Sequence, residues 1–218
     1  MNLLLKRAIT LLELLIAITL VSIIAIGFYS IHLFSHFQVL SSDRRAQVQN
    51  EASYILEHMS KNIARAIGNE VVYGANTIID TNDPTGEGET TRIKVYIDGN
   101  NDGIRQEPVN NPYGNQDYWI AYRYFNNIHQ VQFCSRCKNK QCGRNQCATG
   151  WEPVSLKMDA VSGLRVTKPG GDILNANYIE VTVTTCFDPD GQPYACGTPE
   201  NPQIDMTTQI NLPNVSIR

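Results

Sequence analysis

The chain has 218 residues and a formal net charge of −3, from 18 basic and 21 acidic side chains. This balance is too even to support nucleic acid or acidic lipid as a bulk electrostatic partner. The length allows one globular domain together with a membrane anchor.

A long, predominantly apolar run follows two basic residues near the N-terminus. It extends over 32 residues from Ile9 to Leu40, or about 48 Å as a helix, whereas a bilayer core is about 30 Å thick. An ordinary secretory signal has an apolar region of only about 7–15 residues, with its small-residue cleavage site after that region. Here the small residue, Ala8, precedes the run. The sequence therefore predicts a segment that spans a membrane and projects beyond it.

One acid interrupts the start of this run. Between Ala8 and Leu40 the acidic and basic side chains are Glu13, His32 and His36. A carboxylate in an apolar membrane segment is energetically unfavourable and usually marks a functional residue. Glu13 is therefore the leading candidate site residue.

The residues around Glu13 resemble the class III signal of type IV prepilins and pseudopilins. The motif reads Lys6-Arg7-Ala8, then Ile9-Thr10-Leu11-Leu12-Glu13, with alanine and isoleucine where the family usually has glycine and phenylalanine. The resemblance implies that prepilin peptidase/N-methyltransferase cleaves after Ala8 and methylates Ile9. It also implies that Glu13 neutralises the α-amine of a neighbouring pilin, where a low dielectric strengthens the attraction.

A simpler interpretation of Glu13 is a capping box, with Thr10 as the N-cap and Glu13 reaching back to a backbone N–H. An acid also suits the positive end of the helix dipole. This interpretation is incomplete, because a cap at a water-exposed helix end does not require a long apolar segment to follow.

The apolar segment is predicted to continue as an amphipathic helix over residues 41–68. Its apolar residues recur at spacings of three and four, and the charged residues are predicted to lie largely on the opposite face. The apolar set is Ala52, Ile55, Leu56, Met59, Ile63, Ala66 and Ile67, and the charged set is Asp43, Arg44, Glu51, Glu57, Lys61 and Arg65. We expect one continuous helix from about Thr10 to Ile67, ended by Gly68.

Residues 69–218 change to the alternating pattern of strands and turns. The predicted strands are Arg92–Asp98, Tyr118–Phe125, Ile128–Phe133, Tyr178–Cys186 and Thr207–Leu212, with Asn126-Asn127 as a two-residue hairpin turn. The fold class is therefore α+β, with a long N-terminal helix packed on an antiparallel sheet. This is similar to the pilin fold, and the head resembles those of J-type pseudopilins and W-type minor pilins.

A loop in the head matches half of a calcium-binding motif. Asp98, Asn100 and Asp102 alternate before Gly103, as in an EF-hand loop, but Val109 occupies the position of the final glutamate. Glu107 or Asp117 would then supply the last carboxylate. The favoured alternative is a solvated turn rich in Asn, Asp and Gly.

Six cysteines lie between residues 134 and 196, which favours an oxidising compartment. Four of them, Cys134, Cys137, Cys142 and Cys147, could hold zinc, but two local disulfides are favoured. The turn at 188–191 predicts a third disulfide, between Cys186 and Cys196.

Two further groups are weaker candidates. Arg136, Lys138, Lys140 and Arg144 form a basic group that could contact DNA phosphates, although a solvated loop is favoured over nucleic-acid binding. His32 and His36 could form half a metal site or simply lie at the membrane interface, which is favoured. No catalytic motif is evident, so an enzyme is not predicted.

Together these features predict a structural minor pilin or pseudopilin of a type IV pilus or type II secretion pseudopilus, near its tip. The resemblance divides the chain into a leader (1–8), a transmembrane and filament-core helix (9–40), its amphipathic continuation (41–68) and a periplasmic head (69–218). It implies a single-pass protein of the bacterial inner membrane that contacts other pilins and an assembly platform, with no required cofactor. The alternative is an uncleaved, membrane-tethered periplasmic domain that binds calcium or another ligand.

Overall fold

The computed structural model describes residues 10–65, 89–97, 118–138, 147–155, 160–167, 178–191 and 194–211. The chain divides into two compact units, Met1–Asp43 and Arg44–Arg218. The first is helical where it is described, and the second combines the rest of the helix with two antiparallel sheets. The predicted α+β class, with a long N-terminal helix and an antiparallel head, is confirmed.

Helix α1 extends over 53 residues, Leu11–Ile63. It starts where predicted but ends four residues before the predicted Ile67, because Ala64 and Arg65 are already in a turn. The Arg65 N–H donates to the Asn62 carbonyl at 3.3 Å, the tighter bonding that often closes a final turn. The predicted cap, Gly68, lies outside the described residues.

In the second unit, α1 buries a stripe of side chains at helical spacing. The buried residues are Val48, Glu51, Ala52, Ile55, Leu56, Met59 and Ile63. The prediction that Glu51 lies on the charged outer face is wrong, since it is only 1% exposed. Glu51 is three residues after Val48 and four before Ile55, and residues at these spacings share one face of a helix. The burial of Glu51 is therefore determined by its position on the helix rather than by the polarity of its side chain.

The strands form two antiparallel sheets, ordered β1-β2-β3-β4 and β5-β6-β7, where one sheet was predicted. Their bounds are β1 Glu89–Ile97, β2 Tyr118–Phe125, β3 Gln130–Cys134, β4 Glu152–Pro153, β5 Val161–Thr167, β6 Tyr178–Cys186 and β7 Gln203–Asn211. Strands β2 and β6 match the predicted bounds, whereas β4 and β5 were not predicted.

The predicted two-residue hairpin turn is wrong. Phe125 pairs with Gln130, so four residues connect β2 and β3. Three of them, Asn126–Ile128, form a short 3₁₀ helix, and His129 follows with a φ of 48°. The left-handed residue reverses the chain after the 3₁₀ turn, because this conformation redirects the backbone without a longer loop.

One hydrophobic core joins α1 to both sheets. The fully buried Ile55, Met59 and Ile63 of the helix belong to the same cluster as residues of β1, β2 and β6. The strand residues in this cluster include Ile93, Val95, Ile97, Ile120, Tyr122, Tyr124, Ile179, Val181 and Val183. Burying one such aliphatic side chain stabilises the fold by about 1.5–3 kcal/mol, so the helix is an integral layer of the head.

Polar contacts fix this half of the helix on the sheets. Thr185 of β6 donates to the Val48 carbonyl at 2.9 Å. Near the end of α1, the Tyr122 hydroxyl lies 3.0 Å from His58 Nδ1 and donates to the His58 carbonyl at 3.2 Å. The rings of His58 and Phe133 meet edge-on with centroids 5.0 Å apart. Burial, and secondarily the charge of Lys61, lowers the pKa of His58 below its ordinary value of 6.5.

The His58 environment predicts a pH-dependent stability. A lowered pKa in the folded state means that the unfolded state binds more protons, so this stabilisation is complete above pH 6.5 and decreases as the pH falls below it. We expect the urea midpoint of the full-length protein in detergent to fall from pH 7.5 to 5.5 by more than that of His58→Gln. The other titrating groups are common to both proteins and cancel in the comparison. Equal pH dependence of the two midpoints would contradict the assigned role of His58.

Candidate functional site

Glu13 lies in the first turn of α1, where Thr10 caps the helix. The Thr10 hydroxyl accepts a hydrogen bond from the Glu13 backbone N–H at 3.3 Å, and the Thr10 carbonyl accepts one from Leu14 at 3.2 Å. Within residues 10–65, the Glu13 carboxylate has no hydrogen-bond or ion-pair partner. Only the Thr10 half of the predicted capping box is therefore present in this part of the chain, and the carboxylate remains free for another partner.

The surroundings of Glu13 are exposed and apolar. Every residue from Thr10 to Leu40 is exposed in the isolated chain, including large side chains such as Phe28 and Phe37. A contiguous apolar surface of this extent is typical of a membrane segment or a protein interface. By length and composition, α1 is able to cross a membrane.

Three hydroxyl groups in this segment form hydrogen bonds inside the helix. Thr19, Ser22 and Ser30 each donate to a backbone carbonyl three or four residues earlier, at 2.8, 2.8 and 2.9 Å. These bonds leave few polar groups that need water, and backbone and hydroxyl groups in hydrocarbon must find partners within the protein. Glu13 differs from these residues, because its carboxylate has no hydrogen-bond or ion-pair partner within residues 10–65.

Several predicted site residues lie outside the described residues. These are Ala8 and Ile9 at the predicted cleavage site, and Asp98, Asn100, Asp102 and Glu107 of the predicted calcium loop, with its alternative ligand Asp117. Among the residues that are described, no group of three or more His, Cys, Asp or Glu side chains could hold a metal ion.

The cysteine-rich segment forms disulfides. Cys134 is bonded to Cys147, and Cys137, which is also disulfide-bonded, pairs with Cys147 through an isolated β-bridge. Cys142 lies outside the described residues. Two of the four sulfurs proposed as alternative zinc ligands are thus bonded to each other, and a disulfide sulfur is not a thiolate ligand.

This segment covers the outer face of the first sheet. Trp119 and Ala121 of β2 point away from the main core and pack with Cys134 and Cys147 in a second buried cluster, against which Trp151 also packs. Successive residues of a strand face opposite sides, so β2 is buried on both faces. The sequence reasoning missed this cluster, although the two tryptophans on either side of the cysteines were a signal for it.

Arg123 lies beside the same cluster. Its guanidinium is 3.9 Å from the centroid of the Trp151 ring and 4.3 Å from that of Phe125, and it donates to Gln132 Oε1 at 3.0 and 2.7 Å. Cation–π contacts of this kind add to the packing of a buried arginine. They support the fold of the cysteine segment on the sheet.

The predicted basic group is only partly described. Arg136 and Lys138 are exposed, whereas Lys140 and Arg144 lie outside the described residues. The Arg136 guanidinium lies 5.6 Å from the Tyr118 ring centroid, an aromatic contact that the sequence did not predict.

The third predicted disulfide, Cys186–Cys196, closes a loop after β6. The buried Asn201 organises this loop: its side-chain oxygen accepts from the Asp188 N–H at 2.9 Å, and its amide donates to the carbonyls of Asp188 and Tyr194 at 2.7 and 2.9 Å. Gly197 takes a φ of 97°, which favours glycine. Arg44 donates to the Glu200 carbonyl and lies 5.1 Å from the Phe187 ring centroid, so the loop is held against α1.

The fold and the exposed helix define a membrane-anchored protein with an α+β head. The family described as the prokaryotic N-terminal methylation motif matches residues 5–29. This match covers the end of the predicted leader and the first part of α1, and it supports the predicted similarity to type IV pilins and pseudopilins. No curated protein and no solved structure matches the chain.

The Cys134–Cys147 and Cys186–Cys196 disulfides are predicted to act on different parts of the head. Cys134→Ser/Cys147→Ser should destabilise the head by about 2–4 kcal/mol and expose Trp119 and Trp151, because this disulfide belongs to their cluster. We expect red-shifted tryptophan emission and stronger acrylamide quenching. The matched control is Cys186→Ser/Cys196→Ser, which should leave the emission unchanged at low urea. Equal spectra for the two double variants would contradict this division.

Proposed function

We propose that this chain is a structural minor pilin or pseudopilin rather than an enzyme. The observation that carries the proposal is Glu13, a carboxylate without a partner in the described helix, set in an exposed apolar surface within the methylation motif. Such a surface needs lipid around it before assembly and other apolar helices around it afterwards. A filament subunit uses both environments in turn.

Cleavage after Ala8 by prepilin peptidase would supply the missing counter-charge. It would create an α-amine at Ile9, which the same enzyme would methylate without removing its positive charge. Two opposite charges 4 Å apart attract by about 1 kcal/mol in water but by about 4 kcal/mol at an effective dielectric constant of 20. Within a bundle of apolar helices, the Glu13 carboxylate would pair with the α-amine of a neighbouring subunit.

The head is proposed to lie in the periplasm, with the N-terminus at the cytoplasmic side of the inner membrane. Lys6 and Arg7 precede the apolar segment, and basic residues favour the cytoplasmic side. The disulfides Cys134–Cys147 and Cys186–Cys196 support an oxidising compartment for the head.

Within this class, we place the chain near the tip of a type IV pilus or type II secretion pseudopilus, where it would help to initiate assembly. The resemblance of its large head to J-type pseudopilins and W-type minor pilins supports this position. Its partners would be other pilins, which it contacts through α1, and the inner-membrane assembly platform. Contacts between different surfaces of successive subunits propagate into filaments.

Processing is tested by mass spectrometry of the N-terminus of protein purified from membranes. We expect a chain that begins at methylated Ile9 when prepilin peptidase is present, and an intact leader in a peptidase-deficient strain. An intact Met1 with functional peptidase present would instead favour the alternative, an uncleaved tethered domain that binds calcium or another ligand.

The role of the carboxylate is tested by Glu13→Gln, which keeps the backbone N–H that Thr10 caps. We expect normal membrane insertion and cleavage but at least about tenfold less incorporation into filaments, since a loss of about 1.4 kcal/mol is a tenfold change in an equilibrium. The matched control is Glu57→Gln, a change of the same type at an exposed position of α1, which should incorporate normally. The readout is the ratio of filament to membrane protein in sheared fractions, and equal ratios for wild type and Glu13→Gln would contradict the pairing.

A further inference from the structure

The four histidines of the chain fall into two pairs. In the head, His58 is bonded to the Tyr122 hydroxyl, and His129 Nε2 lies 3.0 Å from Asp190 Oδ1. His32 and His36 of α1 are both exposed, and within residues 10–65 neither imidazole has a hydrogen-bond or ion-pair partner. The ring nitrogens of this second pair are therefore available to a ligand.

Helix geometry places His32 and His36 side by side. They lie in the middle of the unbroken helix Leu11–Ile63, four residues apart, and the Cβ atoms of such pairs are about 5–6 Å apart on one face. A tetrahedral metal with bonds of about 2.0–2.1 Å needs two ring nitrogens roughly 3.3 Å apart. Two imidazoles one helical turn apart can reach this separation, as in the two-histidine helical motif of zinc enzymes.

The sequence around His32 and His36 contains few groups that could compete with a metal ion for the imidazoles. Between Glu13 and Asp43 the helix carries no other acidic or basic side chain than His32 and His36, so along this stretch of sequence no carboxylate competes for the imidazoles. A metal ligand must be the neutral imidazole, whose ring nitrogen carries a free lone pair.

The pair is also accessible to ions. At about 1.5 Å per residue, His32 and His36 lie about 32 and 38 Å from Leu11 along the helix axis. A hydrocarbon core is about 30 Å thick, so a helix that enters the membrane near Leu11 brings both rings to its far edge. Water can therefore fill the coordination positions that the two nitrogens leave open.

We propose that His32 and His36 form a two-nitrogen chelate for a late first-row divalent cation. Imidazole ligands suit Cu²⁺, Ni²⁺ and Zn²⁺, with Cu²⁺ bound most tightly, and do not suit the hard cations Ca²⁺ and Mg²⁺. This site is chemically distinct from the oxygen-rich loop around Asp98–Asp102, and it does not depend on filament assembly.

The test uses the full-length, disulfide-intact protein in detergent, with excess Ca²⁺ present to occupy any oxygen site. We expect one Zn²⁺ per chain in competition with a chromophoric chelator, and a Cu²⁺ electron paramagnetic resonance spectrum with splitting from two nitrogens. His32→Gln/His36→Gln should remove both signals.

A register-shift variant, His36→Gln/Phe37→His, is the matched control because it keeps the number of histidines and increases the angle between the two rings around the helix from about 40° to about 140°. Its Zn²⁺ affinity should fall by more than the about 10- to 100-fold that loss of a ligand's supporting hydrogen bond causes. Circular dichroism checks that both variants stay helical. Equal Zn²⁺ affinities for wild type and the register-shift variant would overturn the proposal, as would the absence of Zn²⁺ binding by the wild type.

Discussion

The first part of helix α1 exposes apolar side chains that need an apolar environment, and the proposed function depends on this requirement. From Leu11 to Leu40 the large apolar side chains are exposed in the isolated chain, and an apolar surface of this extent requires cover. Hydrocarbon, or the apolar faces of other helices, must provide that cover. Glu13 sharpens the requirement, because the environment that suits its neighbours is unfavourable for an isolated carboxylate.

The second half of the same helix is instead partly buried, because the sheets of the head cover one of its faces. From Val48 to Ile63 one face of α1 is buried in the core shared by both sheets, and the Thr185 and Tyr122 hydroxyls donate to helix carbonyls. The cysteine segment then closes the outer face of β2 through Trp119, Trp151 and the Cys134–Cys147 disulfide. These contacts, made by residues from Val48 onward, stabilise the head.

Where the apolar residues of a segment follow a single helical or strand periodicity, the sequence was sufficient to predict that element. Strand β6 alternates from Ile179 to Thr184 between apolar residues and Glu or Thr, and its predicted bounds, Tyr178–Cys186, are those of the structure. The prediction failed where geometry outweighs composition. Glu51 is buried because of its place on the helix, and the left-handed His129 converts an expected two-residue turn into four residues. Strand β4, at two residues, is too short to carry any pattern.

The candidate site was predictable for a related reason, because Glu13 contrasts with neighbours that are otherwise apolar. The partners of a side chain cannot be predicted in this way. In the sequence, nothing distinguishes His58 and His129 from His32 and His36. In the structure, His58 and His129 each contact a strand or loop residue more than 60 positions away. Within the described helix, His32 and His36 have no such partner. Tertiary structure therefore decides which histidines serve the fold, and it leaves the pair on α1, like Glu13, to be satisfied by something outside the described chain.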